Sequence, residues 1–353
     1  MEGTMADRWV LVVAGGRGER FWPWSLPDRP KQLLPLARGG RTLLAATFDR
    51  ALRVVPRERV VVITASDLVE DVRRECPGAT VVGEPAARNT APAIAAAAAW
   101  FPEDDAFAVM WADHAIDDLD AFTGDLGRAF DLAEREPVLV VFGVRASHPD
   151  VNFGYIQRGE ALANGGGARR VAAFKEKPDR ARAEAWFASG EYLWNCGIFV
   201  WRRCVFMEAL ALGRPELARA FRGFSFDGTA RDFERRLAAV FPALEPISVD
   251  HAVLERAPNT VVMEASFDWD DLGSWAAWAR RQPRDERGNV RYGSTEVIDC
   301  DRCVVVGEGG IAAAIGLSDM VVVHANGATL ACPVERSEQV RQVSVAVRAK
   351  AGV

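Results

Sequence analysis

The feature that most constrains the fold is an uninterrupted apolar run near the start of the chain that ends in two glycines. Residues 9–14 read WVLVVA, and Gly15 and Gly16 follow at once. A strand without polar alternation is typical of the centre of a parallel sheet, where helices cover both faces. Similar runs alternate with segments of helical periodicity. The runs lie at 59–64, 79–82, 106–111 and 137–144, and the helical segments lie at 42–54, 67–75, 90–101 and 120–135. This alternation predicts an α/β fold with a doubly wound sheet that is mixed but mainly parallel.

The second half of the chain predicts a different organisation. Shorter strand-like runs and two helical segments follow residue 151. The runs lie at 152–157, 171–176 and 198–201, and the helices lie near 180–189 and 205–222. We interpret them as an insertion that completes one pocket. Residues 282–289 (QPRDERGN) are polar and turn-forming, and brief β-like runs and a helix at 335–347 come after them. We therefore predict a catalytic domain over residues 1–285 and a small β-rich C-terminal domain over residues 286–353.

Charge and composition exclude several classes of function. The chain of 353 residues has a formal net charge of −6, which argues against a nucleic-acid coat or a basic membrane-surface protein. The longest apolar stretch, residues 91–101, is about half of the roughly 20 residues that a membrane span needs. The N-terminal residues lack the pattern of a signal peptide, and the 6 cysteines form no disulfide scaffold. A reduced cytoplasmic protein without a membrane or nucleic-acid partner is expected.

The strongest local signal is the glycine-rich segment directly after the first strand. Gly15, Gly16 and Gly18 would let the backbone approach a polyphosphate closely and direct N–H groups at it. Arg20 adds a bidentate phosphate partner, and Lys31 adds a second cation shortly afterwards. No Gly-Lys-Ser/Thr follows the loop, and it is not G-x-G-x-x-G, which disfavours P-loop kinases and dehydrogenases. In doubly wound sheets, ligands bind beyond the carboxyl ends of the strands, where this loop lies.

Several ordered motifs give the chain a family resemblance. Residues 14–23 (AGGRGERFWP) with 29–32 (RPKQ) resemble the signature of the sugar nucleotidylyltransferases. Residues 83–94 (GEPAARNTAPAI) look like the element of the mannose-1-phosphate guanylyltransferase branch. Further similar elements follow in order: ADH at 112–114, NFGYI at 152–156, FKEKP at 174–178, WNCG at 194–197 and WDDLGSW at 269–275. The resemblance implies a Rossmann-like nucleotidyltransferase fold that joins GTP and mannose 1-phosphate into GDP-mannose and pyrophosphate.

The resemblance also implies roles for individual residues at the nucleotide. The backbone at Ala14, Gly15, Gly16 and Gly18 would hold the nucleotide, together with Arg88 and Asn89 at its guanosine end. Arg20 and Lys31 would be catalytic cations. Asp113 and Asp271 would be catalytic carboxylates that bind Mg²⁺, a cofactor that prefers carboxylate and phosphate oxygens.

A second group of residues is implied for the sugar phosphate. Gly154 and Tyr155 match a loop over the sugar, Glu176 and Asn195 would contact mannose hydroxyls, and Lys177 would neutralise the 1-phosphate. The sequence departs from the family pattern at three positions, Trp111, Cys196 and His251. We expect the first two to lie beside the proposed site, where they could change sugar preference.

The chemistry inferred from this set is an in-line attack of the sugar phosphate on the α-phosphorus of GTP. The nucleophile is already an anion, so positioning and charge neutralisation suffice and no enzyme base is required. Two alternatives stay open. One is a related enzyme for another sugar 1-phosphate, such as a heptose 1-phosphate, or for another nucleotide. The other is a silent regulatory relative that binds GDP-mannose, which the presence of Lys31, Asp113, Lys177 and Asp271 disfavours. The chain is compatible with a homodimer.

Overall fold

A computed structural model describes residues 7–16, 18–222, 224 and 230–351. These ranges leave out residues 1–6, which belong to the N-terminal segment without a signal-peptide pattern. They also leave out Arg17 of the glycine-rich loop. The strands are β1 (Arg8–Val13), β2 (Val60–Ala65), β3 (Thr80–Glu84), β4 (Ala106–Trp111), β5 (Leu139–Arg145), β6 (Tyr155–Ala161), β7 (Arg169–Lys175), β8 (Tyr192–Arg202), β9 (Thr260–Glu264), β10 (Val290–Ile298), β11 (Val304–Ile315), β12 (Met320–Ala325) and β13 (Ala328–Pro333). The α-helices are α1 (Leu43–Leu52), α2 (Val69–Glu75), α3 (Thr90–Ala98), α4 (Leu119–Arg135), α5 (Arg180–Ser189), α6 (Arg203–Gly213), α7 (Pro215–Ala220), α8 (Ala230–Val240), α9 (Trp275–Arg280) and α10 (Val340–Ala351).

The larger sheet has 9 strands in the order β3-β2-β1-β4-β8-β5-β9-β7-β6. Neighbours among β1 to β4 pair in parallel, as do β5 and β9, whereas β7 and β8 run against the other strands. Val10, Leu11 and Val12 of β1 have no exposed surface, as expected for a strand between two helical layers. The predicted α/β fold with a mixed, mainly parallel sheet is confirmed.

Several elements differ from the sequence-based expectation. The helix predicted over 205–222 is two helices, α6 and α7, because Pro215 has no N–H to donate and instead begins α7. Two of the brief β-like runs predicted after residue 289, those at 303–306 and 311–315, form one long strand, β11, whose register against β10 shifts between Gly293 and Thr295. The elements β9, α8 and α9 were not predicted.

Two compact units divide the chain, and the second is discontinuous. The first comprises Met1–Gly15, Thr47–Ala112 and Ile116–Trp269, and the second comprises Gly16–Ala46, Asp113–Ala115 and Asp270–Val353. The glycine-rich loop after Gly15 and the segment at Asp113 thus belong with the C-terminal part of the chain. The division predicted from sequence, into residues 1–285 and residues 286–353, stays a prediction.

The core of the second unit is aromatic and ties the N-terminal signature segment to the C-terminal sheet. The indole of Trp24 stacks on that of Trp275, with ring centroids 5.9 Å apart. The side-chain amide of Asn326, in the turn after β12, donates to the carbonyl of Pro23 at 2.8 Å. The sheet behind this core has the order β10-β11-β12-β13 and is parallel except for its last pair. This packing fixes the loop that carries Arg20 and Lys31.

Within the described ranges, none of the helices combines the length and the apolar character that crossing a lipid bilayer would require.

Candidate active site

The four residues predicted to be catalytic line one cavity of the second unit. The cavity has a volume of about 490 Å³. Its lining consists mainly of charged side chains and the backbone around them: Gly18, Glu19, Arg20, Phe21, Lys31, Asp113, His114, Asp271, Leu272, Gly273 and Arg341. A cavity with this lining suits a highly charged ligand.

Lys31 occupies the centre of this cluster. It begins a single 3₁₀ turn after Pro30, and only 8% of its side chain is exposed. Its Nζ donates to Oδ2 of Asp113 at 2.9 Å and to the main-chain carbonyl of Asp271. One ammonium group therefore holds together two segments that lie far apart in sequence.

Gly18 makes the position of Lys31 possible. Its φ is +60°, and a Cβ added there would lie 2.3 Å from Cβ of Lys31. This glycine is required by close packing and by backbone conformation. By contrast, a Cβ at Gly16 would meet no atom of the described residues within 4 Å, so these residues give no steric reason for the second glycine of the loop.

The two carboxylates differ in their electrostatics. Loss of hydrating water opposes ionisation of Asp113, but the charges of Lys31 and His114 and the hydrogen bond from Lys31 outweigh it, so the pKa of Asp113 lies below its usual value. Burial raises the pKa of Asp271, although Lys31 acts against it, and the negative charges of Asp270 and Asp113 raise it further. The second carboxylate thus lacks a full counter-charge, which a cation would supply.

The backbone around Asp271 is shaped to present its side chain. Leu272 has a φ of +46°, a strained conformation for a residue with a side chain. A Cβ on Gly273 would lie 2.7 Å from Oδ2 of Asp271 and 3.2 Å from Nη1 of Arg20. Glycine at 273 therefore lets the carboxylate and the guanidinium approach the same stretch of backbone. In the part of the chain that the structure describes, no carboxylate pairs with Arg20, which leaves its guanidinium available to a ligand.

The donor set fits Mg²⁺ only as an ion that is shared with a substrate. Nowhere among the described residues do three or more His, Cys, Asp or Glu side chains gather as a metal site. Mg²⁺ commonly takes one or two protein carboxylates and completes its shell with phosphate oxygens and water. Asp113 and Asp271 could serve as those carboxylates, and the phosphates of a nucleotide would then supply the remaining ligands.

The residues predicted for the nucleotide lie at strand and helix ends. Ala14 follows β1, where its N–H donates to the carbonyl of Ile63 at 2.8 Å. Asn89 is the N-cap of α3: its side chain accepts from the N–H of Thr90 at 2.8 Å, and its φ is +65°. Arg88 donates to the carbonyl of Pro242. Of this group, Asn89 and Arg88 thus already have structural partners within the protein.

Glu84 was not predicted as a site residue. It ends β3, and a Cβ on Gly15 would lie 3.0 Å from its Oε1. Burial raises the pKa of Glu84 to about 7. The sequence offered a signal, since Glu84 lies in the same ordered motif as Arg88, but nothing in it indicated that the side chain turns towards the glycine-rich loop.

The residues predicted for the sugar phosphate form a cluster in the first unit. A Cβ on Gly154 would lie 2.5 Å from Oε2 of Glu176 and 3.3 Å from Cβ of Asn195. Nζ of Lys177 donates to Oε1 of Glu176 at 2.8 Å, and Lys177 has a φ of +44°. The absence of a side chain at Gly154 keeps the space in front of Glu176 and Asn195 open.

Two nearby side chains point away from this cluster. Tyr155 is fully buried, and its hydroxyl exchanges hydrogen bonds with the backbone of Asp150. Any contact of Tyr155 with a sugar would therefore be made by its main chain. Cys196 is also buried: its thiol donates to the carbonyl of Phe142 at 3.3 Å, and burial raises its pKa to about 12. The expectation that this cysteine tunes sugar preference does not fit that position.

Asp250 completes the cluster and was missed by sequence reasoning. Its Oδ1 accepts from Nδ2 of Asn195 at 3.0 Å. Burial, followed by the nearby negative charge of Glu176, raises the pKa of Asp250 to about 6. These residues are separated by 55 and more positions, and no local pattern links them. Only the fold shows that they lie close together.

Comparison with known proteins agrees with this geometry. The family model described as nucleotidyl transferase matches residues 9–287, and the MannoseP isomerase/GMP-like beta-helix domain matches residues 294–345. The chain is 36% identical over 341 residues to a mannose-1-phosphate guanylyltransferase of Klebsiella pneumoniae, covering 94% of this chain and 72% of that protein. Its identity to the mannose-1-phosphate guanylyltransferase of Escherichia coli K12 is 36% over 351 residues, which cover 96% of this chain and 73% of that protein.

A solved structure from Thermus thermophilus is similar over nearly the whole chain. It is described as a mannose-1-phosphate geranyltransferase, and it matches with a TM-score of 0.86 and 33% identity over 97% of this chain and 99% of that one. The similarity covers both the nucleotidyltransferase region and the C-terminal β-rich region. The chain belongs to the nucleotidyl transferase family and, within it, to the mannose-1-phosphate guanylyltransferases.

Proposed function

We propose that the chain transfers GMP from GTP to α-D-mannose 1-phosphate, giving GDP-mannose and pyrophosphate. The observation that carries this proposal is the cavity in which Lys31 joins Asp113 to Asp271 beside the uncommitted guanidinium of Arg20. Cations and carboxylates in one cavity suit a reaction between two anionic phosphates. No nucleophilic serine or cysteine is needed for it.

The reaction requires charge neutralisation more than proton transfer. A phosphate oxygen of mannose 1-phosphate forms a bond to the α-phosphorus of GTP. The bond from that phosphorus to the oxygen of the β-phosphate breaks, and pyrophosphate leaves with the electron pair. Arg20 and Lys31 would neutralise the charge that develops on the leaving group. Bound at Asp113 and Asp271, Mg²⁺ would act as a Lewis acid on the phosphate oxygens.

Glu84 supports guanine as the base. A carboxylate presents two acceptor oxygens. Among the common bases, guanine offers two adjacent donors, N1–H and the 2-amino group, on one edge. Glu84 lies beside Gly15, at the loop assigned to the nucleotide. We therefore assign guanine recognition to this side chain in its ionised form.

The cluster around Gly154 is assigned to mannose 1-phosphate. Glu176, Asp250 and the carbonyl oxygen of Asn195 are acceptors for sugar hydroxyls. Lys177, whose side chain is 65% exposed, would release Glu176 and bind the 1-phosphate.

Lys177→Ala is expected to raise the KM for mannose 1-phosphate about ten- to hundredfold and to leave the KM for GTP nearly unchanged. A charge-assisted hydrogen bond to a phosphate contributes about 1.5–3 kcal/mol, which corresponds to that range. Steady-state kinetics with each substrate varied in turn measure the two constants. Lys175→Ala, which removes an exposed lysine two residues earlier, is the control. Equal losses for both substrates would assign Lys177 to another role.

Asp250→Asn is expected to stabilise the protein at pH 7 by about 1–3 kcal/mol while raising the KM for mannose 1-phosphate several-fold. The folded-state pKa of Asp250, about 6, lies above the ordinary value of 3.8 for an aspartate, so folding favours the protonated form. The wild-type protein therefore loses stability as pH rises from about 4 to 6, and the variant does not. Thermal unfolding across this range tests the prediction, with the exposed Glu245→Gln as control. A variant that is less stable than wild type at pH 7 would contradict it.

A matrix of substrates tests the proposed function against its alternatives. Pyrophosphate release is measured with GTP, ATP, UTP and dTTP, each crossed with mannose, glucose and heptose 1-phosphates. The pair of GTP and mannose 1-phosphate should give the highest kcat/KM. A heptose 1-phosphate or another nucleotide at the top of the ranking would favour the related enzyme. Binding of GDP-mannose without turnover of any pair would favour the silent regulator.

A further inference from the structure

The C-terminal helix contacts the phosphate-binding segment through two arginines. Both pair with Glu19, the residue before Arg20: Nε of Arg341 donates to Oε2 at 2.9 Å, and Nη1 of Arg348 donates to Oε1 at 3.1 Å. Residues seven positions apart are about two helical turns apart and lie on one face of a helix. One carboxylate of the signature segment is therefore held between two arginines of α10.

The two arginines are not equivalent. Arg341 lines the cavity that holds Lys31 and Asp113, and 66% of its side chain is exposed. Arg348 is not part of the cavity lining, and only 25% of its side chain is exposed. A guanidinium carries five N–H donors. The donor that Arg341 gives to Glu19 leaves most of its fork for a ligand in the cavity.

The cavity needs a further cation. Among the described residues of the signature segment, Arg20 and Lys31 are the cations in the lining, and Lys31 also balances the charge of Asp113. The three acidic side chains in the lining, Glu19, Asp113 and Asp271, would repel a polyphosphate. Arg341 and Arg348 neutralise the charge of Glu19. Arg341 also adds a planar fork that matches the geometry of phosphate oxygens.

We propose that Arg341 binds the β- and γ-phosphates of the nucleotide and the pyrophosphate that leaves. Glu19 acts as a positioning residue that aims the guanidinium of Arg341 into the cavity, and Arg348 holds Glu19 from the other side. The C-terminal part of the chain thus contributes a side chain to the reaction. The choice of pyrophosphate as leaving group rests on the proposed function, whereas the binding of a polyphosphate at Arg341 rests on the cavity alone.

Calorimetric titration of the full chain with inorganic pyrophosphate and Mg²⁺ tests this proposal. Arg341→Gln should weaken binding about ten- to hundredfold, the range for a lost charge-assisted contact. Arg341→Lys should recover part of the loss, because lysine keeps the charge but not the fork. Arg336→Gln is the matched control: it removes an exposed arginine of the same unit that is not part of the cavity lining, and it should leave pyrophosphate affinity close to that of wild type.

The reverse reaction gives an independent readout. With GDP-mannose as the second substrate, Arg341→Gln should raise the KM for pyrophosphate and leave the KM for GDP-mannose unchanged. Unaltered pyrophosphate binding in Arg341→Gln, an equal loss in Arg336→Gln, or no binding by the wild-type chain would overturn the proposal. Arg341-dependent pyrophosphate binding by a chain that makes no GDP-mannose would instead contradict the proposed function alone.

Discussion

Asp271→Asn is expected to fold like the wild-type protein and to lose about a hundred- to a thousandfold in kcat, the scale seen when one preorganised electrostatic group is removed from a site. The proposed reaction brings two anionic phosphates together, and the carboxylate of Asp271 would hold the cation that offsets their repulsion. Asparagine keeps the shape of the side chain but removes its charge. Turnover should recover in part as Mg²⁺ is raised, because the weakened site can be filled by mass action.

Stability measurements should distinguish Asp271→Asn from Asp113→Asn. Burial raises the pKa of Asp271, so a neutral side chain there should leave stability unchanged or improve it at pH 7. The pKa of Asp113 is lowered instead, so its ionised form stabilises the folded protein at neutral pH, and that contribution is lost as pH falls through the folded pKa. Asp113→Asn should therefore be as inactive as Asp271→Asn but less stable, with a stability deficit that shrinks in acid.

Asp270→Asn is the control for both variants, Asp271→Asn and Asp113→Asn. Asp270 accepts from the N–H of Leu272 at 2.8 Å and pairs with the exposed Arg280 at 3.3 Å. Asparagine can keep the first bond, and an ion pair at 3.3 Å whose arginine is 57% exposed contributes little. This variant should stay close to wild type in kcat. Near-normal turnover of Asp271→Asn at low millimolar Mg²⁺ would remove Asp271 from the site.

Lys31→Met is expected to lower kcat by a similar hundred- to thousandfold, for a different reason. The ammonium of Lys31 would neutralise the leaving pyrophosphate, and it also fixes the Asp113 carboxylate and the Asp271 backbone. Methionine fills a similar volume without the charge. The pKa of Asp113 should rise, because Lys31 is the largest of the influences that lower it. The acidic limb of the pH–rate profile should therefore move to higher pH.

The exposed Lys350 of the same unit supplies the control for this variant. Lys350→Met removes the same charge at a position outside the cavity, and it should leave kcat and the pH profile unchanged. A Lys31→Met variant with normal kcat and a shifted KM alone would mean that Lys31 binds ground-state substrate and does not act on the leaving group.

The parts of the molecule that could be predicted from sequence are those with a local pattern. The apolar run of β1 and the glycines after it predicted a buried parallel strand followed by a close backbone approach, and Gly18 makes such an approach to Lys31. The ordered motifs also indicated residues that the fold gathers, since Arg20, Lys31, Asp113 and Asp271 line one cavity. Their catalytic and metal-binding roles stay predictions.

What the sequence could not predict depends on contacts between distant segments. Glu19 and Arg341 are 322 positions apart, and no periodicity connects a signature loop with a C-terminal helix. Asp250 likewise becomes a site candidate only because the fold places it against Asn195. Tyr155 shows a different limit: a motif gives the position of a residue, but the register of β6 decides that its side chain faces the core.

The most direct test is to incubate the full chain with GTP, mannose 1-phosphate and Mg²⁺ and to quantify every nucleotide product together with pyrophosphate. GDP-mannose and pyrophosphate should form in equal amounts, neither should form without mannose 1-phosphate, and both should be nearly lost with Asp271→Asn. Hydrolysis of GTP without transfer to the sugar, or undiminished synthesis by Asp271→Asn, would contradict transfer at the cavity of Lys31, Asp113 and Asp271.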